Sequence, residues 1–420
     1  MLCVGKRLVR LKGFQKLTSV DKALQMFLSQ VPPKKIGIEI VPLTSALNRV
    51  LAENITAEHD LPNFNRTAVD GYAVKAEETR GASQFKPKKF LITEKHAVEN
   101  KQAKQVWTGN PIPKGADAVV MLEYTKRMGD EVEVWTQVVP GENISKKGED
   151  ISKGEVAVKA RTRLKPQHIG LLAALGFSEI KVFEKPKIAI LATGNELVEV
   201  GSSIKEGQVF EVNRLVLSAL CRELNAEPID LGIANDNVNE IRDKLEFGAK
   251  VADAIITTGG TSVGAFDFVP EVVDKLGKPG VIVHGVAMRP AMPTALAIAK
   301  EKPILVLSGN PVAAIIGFEV FARPLICRLL GLEKEEHRPV VKAKMTKKVA
   351  TALGRKTFVR VHVFQRNREF FAEPISTRGS GVISTMTKAN GYAVASENRQ
   401  GLEEGEEVLV YLFDDVGLVG

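Results

Sequence analysis

The sequence predicts an α/β plus β protein, in which accessory β-rich domains join a central doubly wound α/β domain. Its 420 residues are enough for about two to four domains. Over residues 186–335, near-continuous apolar strands alternate with helical segments, which is typical of a parallel sheet with helices on both faces. Short β-type runs between Gly, Pro and Asp turns fill residues 63–154, and similar runs return after His337.

Three helices are predicted before the α/β region, outside the β-rich residues 63–154. Residues 18–29 and residues 44–55 both place apolar side chains at helical spacing. A third helix is predicted over residues 164–177, with Pro166 at its start and Gly176 at its end.

These changes along the chain predict four domains. The predicted domains are an N-terminal helical and linker domain (14–62 and 155–185), an inserted β-rich domain (63–154), the α/β domain (186–335) and a C-terminal β-barrel-like domain (336–420). Ligands of doubly wound sheets bind at the carboxyl ends of the strands. The loops ATGNE, GIAND, TTGGTSVGAFD and LSGNP follow strands of the α/β domain, so we expect them to meet on one rim.

Composition favours a small anionic partner. The net charge is +8, but it is spread along the chain and only 6% of the residues are aromatic, so we predict no nucleic-acid partner. The three cysteines lie far apart without CxxC spacing, which fits a reducing compartment. No apolar stretch is free of charges over a membrane-spanning length, so we predict a cytoplasmic protein with no membrane partner.

The glycine-rich stretch TTGGTSVGAFDF (257–268) allows several interpretations. A P-loop is excluded, because Ala265 and Phe266 stand where the motif needs Lys and Ser or Thr. A nucleophile elbow at Ser262 is disfavoured, because Pro270 delays the following helix. The remaining interpretations are a plain strand-to-helix turn and an anion cradle. The cradle would use backbone N–H groups and hydroxyls of Gly259, Gly260, Thr261, Ser262 and Gly264.

Other strand ends favour the cradle. Asn310 and Pro311 read as the N-cap and first residue of a helix, whose free N–H groups would face the same rim. Glu196, Asp236 and Asp267 on one rim would repel each other unless a cation lay among them, and hard oxygen ligands suit Mg²⁺. Asp236 could instead cap a helix. The pattern alone predicts an anion-binding α/β protein suited to phosphoryl or nucleotidyl chemistry.

Taken together, the motifs resemble the molybdopterin molybdenumtransferase family, which includes MoeA and the gephyrin E-domain. The matching stretches occur in the family's order: NRTAVDGYAV (65–74), WTGNPIPKGADAVVMLE (107–123), GENISKKGEDI (141–151), ATGNELV (192–198), TTGGTSVGAFDF (257–268), MRPAMPTALA (288–297), LSGNPVAAIIGFEVFARP (307–324) and the weaker GSGVISTMTKANGY (379–392). The ordered set is far more specific than any one of its members.

The resemblance implies an elongated four-domain protomer that works as a homodimer, with a site to which both subunits contribute. It implies insertion of molybdate into adenylated molybdopterin with release of AMP and a requirement for Mg²⁺. By matching motif, the catalytic residues would be Asp70, Asp150, Glu196, Asp236 and Asp267, of which Glu196, Asp236 and Asp267 would also hold the metal. The substrate-binding residues would be Thr108, Gly259, Gly260, Thr261, Ser262, Gly264, Arg289, Asn310, Pro311, Arg360 and Ser380.

The sequence departs from the family pattern mainly at positions that usually carry charge. The departures are Ser145, Asn195, Gly285, Met292 and Ser308. Fewer cations weaken an oxyanion site, although Arg289 keeps one charge and can bind through two N–H groups. The alternatives are a non-catalytic or tungstate-specialised pterin-binding paralogue, a scaffold, and a serine hydrolase that uses Ser262. The sequence does not choose between molybdate and tungstate.

Overall fold

The computed structural model describes residues 17–32, 36–260, 268–332, 338–375 and 379–418. The chain divides into two compact units. The smaller unit is Ile40–Val182, and the larger unit comprises the chain up to Glu39 together with the chain from Phe183 onward. Within the described residues, no helix combines the length and the apolar character needed to cross a membrane.

The described α-helices are α1 (Val20–Gln30), α2 (Pro166–Ala174), α3 (Asn213–Glu223), α4 (Val238–Val251), α5 (Phe268–Leu276), α6 (Pro311–Gly317), α7 (Arg323–Leu329) and α8 (Ser384–Lys388). The strands of the first half are β1 (Ile38–Pro42), β2 (Ile55–Thr56), β3 (Arg66–Thr67), β4 (Gly71–Val74), β5 (Lys88–Ile92), β6 (Gln102–Val106), β7 (Ala118–Met121), β8 (Thr125–Met128), β9 (Glu131–Val134), β10 (Ile144–Ser145), β11 (Val156–Val158) and β12 (Glu179–Phe183).

The strands of the second half are β13 (Lys187–Thr193), β14 (Leu197–Val198), β15 (Val209–Phe210), β16 (Glu227–Ala234), β17 (Ala254–Thr258), β18 (Gly280–His284), β19 (Met288–Arg289), β20 (Ala295–Ala299), β21 (Lys302–Leu307), β22 (Val340–Met345), β23 (Val349–Ala350), β24 (Lys356–Arg366), β25 (Glu369–Pro374), β26 (Gly391–Ala395), β27 (Gly401–Leu402), β28 (Glu407–Leu412) and β29 (Gly417–Leu418). A π-helix at Phe318–Ala322 links α6 to α7.

The smaller unit contains a six-stranded sheet in the order β7-β4-β6-β5-β9-β8. All four residues of β4 are buried, because the sheet packs apolar side chains on both faces there. Tyr72 and Val74 contact one cluster of buried side chains, and Ala73 contacts another. The β-type runs predicted for residues 63–154 therefore form a sheet, as the alternation of strands and turns indicated.

The helix predicted over residues 44–55 is wrong. A short 3-10 helix at Leu43–Ser45 is followed by turns and by extended chain. Asn48 has a φ of 63°, which ends any helix there, and the N–H of Leu51 donates to the carbonyl of Thr162 over 3.0 Å. Val50 and Leu51 are buried all the same. The apolar periodicity therefore indicated the burial of these two residues, although they are buried through extended pairing and not in a helix.

The larger unit is built on a six-stranded sheet in the order β16-β13-β17-β21-β20-β18. The strands β16, β13, β17 and β21 run parallel, whereas β20 is antiparallel to both β21 and β18. The sheet is therefore mixed, and the prediction of a fully parallel sheet is wrong, because β20, a strand that the sequence did not predict, runs antiparallel between β21 and β18. The hairpin between β20 and β21 needs only the left-handed residues Lys300 and Glu301 as its turn, so no helical crossover separates these two strands.

Helices cover this sheet on opposite faces. Ile241 of α4 and Val273 of α5 pack in one buried cluster with Ala189 and Ile255 of the sheet. On the other face α6 lies so close to β21 that a methyl group added to Gly317 would come within 2.9 Å of the Leu307 side chain. The helix α3 contacts α6, β13 and β16.

A seven-stranded sheet follows in the same unit, with the order β19-β24-β25-β22-β28-β26 and with β29 beside β24. Its strand β19 comes from the α/β part of the chain and pairs in parallel with the start of β24. Met288 lies opposite Lys356, and Arg289 lies opposite Thr357. A short segment that sequence reasoning assigned to the α/β domain is thereby held by the C-terminal sheet.

Candidate functional site

A cavity of about 780 Å³ lies at the carboxyl ends of the parallel strands. It is bounded by the loops that follow β13, β16, β17 and β21, which are the four loops that the sequence placed on one rim. The predicted site residues that line it are Glu196, Asp236, Gly259, Gly260, Asn310 and Pro311. The rule that ligands bind at the carboxyl ends of strands therefore locates this cavity correctly.

The strand ends approach each other closely at Gly259. This residue has a φ of 89°, and its N–H donates to the carbonyl of Leu307 over 3.2 Å. A methyl group added to it would lie 2.2 Å from the carbonyl oxygen of Thr193. Glycine is required there both by the left-handed backbone and by the contact between the ends of β13 and β17.

Three carboxylates line the same cavity, namely Glu196, Asp236 and Glu211, the last of which is paired with Arg214. The backbone N–H of Asp236 donates to the Asn195 side-chain oxygen over 2.9 Å, so Asn195 joins the loops after β13 and β16. Asp236 does not cap α4. Asn237 is the N-cap, and its side chain accepts hydrogen bonds from Asn239 and Glu240. The Asp236 carboxylate therefore lies on the cavity wall without a capping role.

Of the three predicted metal ligands, only Glu196 and Asp236 lie within the described residues. Asp267 lies outside the described residues, as do Thr261, Ser262 and Gly264. Within the described residues, no group of three or more His, Cys, Asp or Glu side chains is arranged to hold a metal ion. The pair formed by Glu196 and Asp236 still fits Mg²⁺, which commonly binds through one or two carboxylates and keeps several waters.

A second cavity of about 370 Å³ adjoins the first and is cationic. Both cavities are lined by Met292, Pro293, Ser308 and Asn310, which form a shared wall. Arg289, Arg355, Arg360 and Ser380 line only the second cavity. No Asp or Glu occurs among the described residues that line it.

Local structure explains how these arginines converge. The pairing of β19 with β24 places Arg289 beside the start of β24, which also carries Arg360. Arg360 is 3% exposed, and burial lowers the pKa of its guanidinium. Arg289 is exposed and Arg355 is half-buried. An arginine stays protonated at neutral pH in either environment, so the cavity carries three positive charges.

The C-terminal part of the chain closes one side of both cavities. The N–H of Val312 donates to the carbonyl of Ser380 over 3.1 Å. A methyl group added to Gly381 would lie 3.5 Å from the side-chain oxygen of Asn310. Asn310 and Pro311 hold the predicted N-cap and first positions of α6, but the Asn310 side chain makes no capping hydrogen bond.

Sequence reasoning missed Glu211, Asn213 and Arg355. Glu211 and Asn213 line the larger cavity, and both are at least nine-tenths buried. The Asn213 amide donates to the carbonyl of Gly309 over 2.8 Å, while its side-chain oxygen has no hydrogen-bond partner among the described residues. The one available signal was a polar pair, Glu-Val-Asn, at the start of a helix beside a predicted ligand rim.

The remaining predicted residues lie in the smaller unit. One oxygen of Asp70 accepts hydrogen bonds from the backbone N–H and from the hydroxyl of Thr108, both over 2.7 Å. The backbone N–H of Thr108, and then its hydroxyl, lower the pKa of the Asp70 carboxyl. Both residues are exposed, so this is a carboxylate held in a fixed orientation at the surface.

The loop that carries Asp150 is fixed to the loop that precedes Asp70. The N–H of Asp150 donates to the carbonyl of Leu61 over 3.1 Å, and the pairing of β10 with β3 extends this contact. Ser145 donates its hydroxyl to Glu149, which also accepts from the backbone of Lys146. The structure thus brings the VDGYA, TGNP and GEDI motifs together within this unit.

Three family models match successive parts of the chain. They are the MoeA N-terminal region (domain I and II) at residues 18–176, the probable molybdopterin binding domain at residues 189–328, and the MoeA C-terminal region (domain IV) at residues 342–413. Their order is the order of the motifs.

Relatives match over nearly the whole length. The molybdopterin molybdenumtransferase of Bacillus subtilis is 36% identical over 386 residues, which is 89% of each chain. That of Haemophilus influenzae is 32% identical over 408 residues, which is 95% of this chain and 99% of the relative. The crystal structure of a molybdopterin biosynthesis moeA protein from Pyrococcus horikoshii OT3 is 33% identical, with a TM-score of 0.76 over 94% of this chain and 100% of its own. The chain belongs to the MoeA family.

Proposed function

We propose that this protein inserts molybdate into adenylated molybdopterin and releases AMP. It belongs to a family whose curated relatives are named molybdopterin molybdenumtransferases, and it is an enzyme of this type in molybdenum cofactor biosynthesis. One observation carries the finer proposal. A cavity lined by the carboxylates of Glu196, Glu211 and Asp236 shares a wall with a smaller cavity that has three arginines and, among its described lining residues, no carboxylate.

The smaller cavity suits molybdate, which is a tetrahedral dianion. Arg289, Arg355 and Arg360 supply positive charge, and the hydroxyls of Ser308 and Ser380 can donate to its oxygens. Hydrogen bonds between ionised partners are about twice as strong as those between neutral partners, and partial burial strengthens them further. Arg360 is 3% exposed, so a contact between its guanidinium and an oxyanion in the cavity would be poorly screened by water and correspondingly strong.

The larger cavity suits the pterin and its phosphate groups. Gly259 and Gly260 leave the loop after β17 without side chains, which allows a ligand to approach the backbone closely. Asn213 and Glu211 add buried polar groups to the floor. A few placed polar groups within a cavity of several hundred Å³ are typical of a site for a small organic ligand.

Glu196 and Asp236 would hold Mg²⁺ on the wall of this cavity. When bound, Mg²⁺ neutralises charge on phosphate oxygens and thereby stabilises a departing phosphate group. Asn195 fixes the backbone of Asp236 and so keeps the two loops in register. The protein's own part is to orient the substrates across the shared wall of Met292, Pro293, Ser308 and Asn310.

The test is release of AMP by the purified protein from adenylated molybdopterin, with and without molybdate and Mg²⁺. We expect release to require both. The variants Glu196→Gln and Asp236→Asn should slow it by about 10²-fold or more, because they remove charge that orients and stabilises the reacting groups. Glu206→Gln changes an exposed carboxylate of the same region outside both cavities and should behave as the wild type. AMP release that is independent of molybdate would contradict the proposal.

A second candidate is a tungstate-specialised protein of the same kind. Met292 supports it, because this uncharged residue lies on the wall of both cavities where the resembled family usually carries a lysine. Competition between molybdate and tungstate in the AMP assay decides between the two. Preferential turnover of tungstate would favour the specialised protein, and preferential turnover of molybdate would remove it.

A further inference from the structure

We infer that Arg355 is an oxyanion-binding residue of the smaller cavity, acting together with Arg289 and Arg360. No motif predicted Arg355 as a site residue. The inference deepens the proposed function and rests on it for the identity of the oxyanion. It assigns to Arg355 a direct contact with a tetrahedral dianion, which is molybdate or a phosphate group.

The position of Arg355 is set by the junction between β19 and β24. The N–H of Lys356 donates to the carbonyl of Ala287 over 2.9 Å, and Met288 pairs with Lys356 in the register. Arg355 therefore stands one residue before the point at which β24 begins to hold the strand that carries Arg289. The same backbone pairing that positions Arg289 also positions Arg355.

Arg355 and Lys356 are neighbours in sequence but differ in their ion pairing. Lys356 is neutralised by Asp21, whose two carboxylate oxygens both lie 2.8 Å from the ammonium nitrogen. Arg355 lies in the bend that precedes β24, and Lys356 does not line the smaller cavity. Arg355 lines the smaller cavity, and its side chain forms no ion pair with any described residue.

The described lining of the cavity carries positive charge and no negative charge. Three guanidinium groups line a space of about 370 Å³, and no carboxylate lies among its described lining residues. Like charges confined in this way repel each other, more strongly where water is partly excluded. A dianion within reach of all three groups converts the repulsion into attraction. The hydroxyls of Ser308 and Ser380 add donors suited to the oxygens of such an anion.

The experiment is isothermal titration calorimetry of the full chain with sodium molybdate, and in a separate arm with AMP. We compare wild type with Arg355→Ala, Arg355→Lys and the control Arg366→Ala. Arg366 is an exposed arginine at the opposite end of β24, so its replacement makes the same change in net charge outside the cavity. Thermal unfolding of each variant checks folding, and Arg355→Gln replaces the alanine variant if that variant unfolds.

We expect Arg355→Ala to raise the Kd of molybdate by about tenfold or more, as the loss of one charge-assisted hydrogen bond implies. Arg355→Lys should recover part of the affinity, because it keeps the charge but loses the planar fork. Arg366→Ala should stay within about twofold of wild type. If folded Arg355→Ala, or its glutamine substitute, binds both molybdate and AMP within about twofold of wild type, the inference is overturned.

The two arms separate this inference from the proposed function. Binding of molybdate by wild type, with neither molybdate nor AMP binding weakened in the Arg355 variants, overturns the inference and leaves the proposed function intact. Binding of AMP but not molybdate by wild type, with AMP weakened in Arg355→Ala, upholds Arg355 as an oxyanion contact for phosphate. That result would contradict the assignment of the smaller cavity to molybdate.

Discussion

At the scale of single residues, Gly259 fixes how closely the strand ends meet at the larger cavity. Its left-handed backbone alone would cost another residue about 1–2 kcal/mol. The contact with the carbonyl of Thr193 adds a steric cost, because a backbone oxygen cannot move aside without displacing β13. Both strands belong to the buried centre of the sheet, so neither shifts easily.

We predict that Gly259→Ala lowers the melting temperature by several °C and abolishes AMP binding. The matched control is Gly405→Ala. Gly405 has a φ of 76°, but a methyl group there would meet no atom within 4 Å, so only the backbone cost of about 1–2 kcal/mol applies. Differential scanning fluorimetry and calorimetric titration with AMP measure the two effects. Equal destabilisation by the two variants would show that the contact with Thr193 is unimportant.

Residue types at strand ends were the predictable part of the site. Glu196, Asp236 and Gly259 follow strands of the predicted sheet, and they line one cavity because parallel strands end on the same edge. Arg355 and Asn213 could not be found in this way. Arg355 reaches the site through the pairing of β19 with β24, which joins residues nearly 70 positions apart in sequence. Local sequence patterns do not predict a contact between residues so far apart in the chain.

At the scale of elements, the π-helix at Phe318–Ala322 carries a buried ion network. The carboxylate of Glu319 accepts hydrogen bonds from Arg323 at 2.8 and 3.1 Å and from Arg338 at 2.9 and 3.1 Å. The Glu319 side chain is 1% exposed. Burial acts to raise the pKa of Glu319, but the hydrogen bonds from Arg338 and Arg323 outweigh it and lower the pKa overall. This network ties the helices after β21 to the segment that leads into β22.

We predict that Glu319→Gln destabilises the larger unit by about 1.5–3 kcal/mol, because Arg323 and Arg338 lose their buried counter-charge and keep only the partly exposed Glu223. The control is Glu407→Gln, which removes an exposed partner of Lys342 and should change stability by less than about 0.5 kcal/mol. Urea unfolding followed by circular dichroism measures both variants. A Glu319→Gln protein as stable as the control would contradict the prediction.

The pH dependence of this difference has a defined sign. A carboxyl whose pKa is lowered in the folded state stabilises the fold above its unfolded pKa of about 4.3. That stabilisation is lost as the pH falls through the lower folded value. The stability gap between wild type and Glu319→Gln should therefore be constant from neutral pH to about pH 5 and should shrink below about pH 4.

Elements were predictable where local rules and tertiary contacts agree. The helix α2 begins at Pro166, and the chain turns at Gly176 with a φ of 85°, as the sequence indicated. The prediction of a helix over residues 44–55 failed, because hydrogen bonds to residues 162–164 satisfy the backbone of this segment in extended form. The direction of a strand is set by the connection that precedes it. The two-residue turn at Lys300 and Glu301 carries no clear turn motif, so the hairpin between β20 and β21 was missed and the sheet was predicted as parallel throughout.

At the scale of the whole molecule, we propose a homodimer, as the resemblance to the family implies. Light scattering at micromolar concentration should give a mass of twice the 45.7 kDa chain. A stable monomer that keeps molybdate-dependent AMP release would contradict a site to which both subunits contribute. The four predicted domain boundaries remain a prediction, and limited proteolysis of the full chain would test them.

Because β19 is held by β24, a shortened protein could keep the larger cavity and lose the smaller one. A protein shortened to end near Leu332 would keep the four parallel strands and the loops that follow them, and it would lose only Gly381 from the described lining of the larger cavity. It would lose Arg355, Arg360 and Ser380 outright, and it would also lose the strand that holds Arg289 in place. A gene for the α/β part alone would therefore encode most of the larger cavity without the smaller one. In the proposed function, a site for the metal oxyanion exists only where the α/β chain and the C-terminal sheet are encoded together.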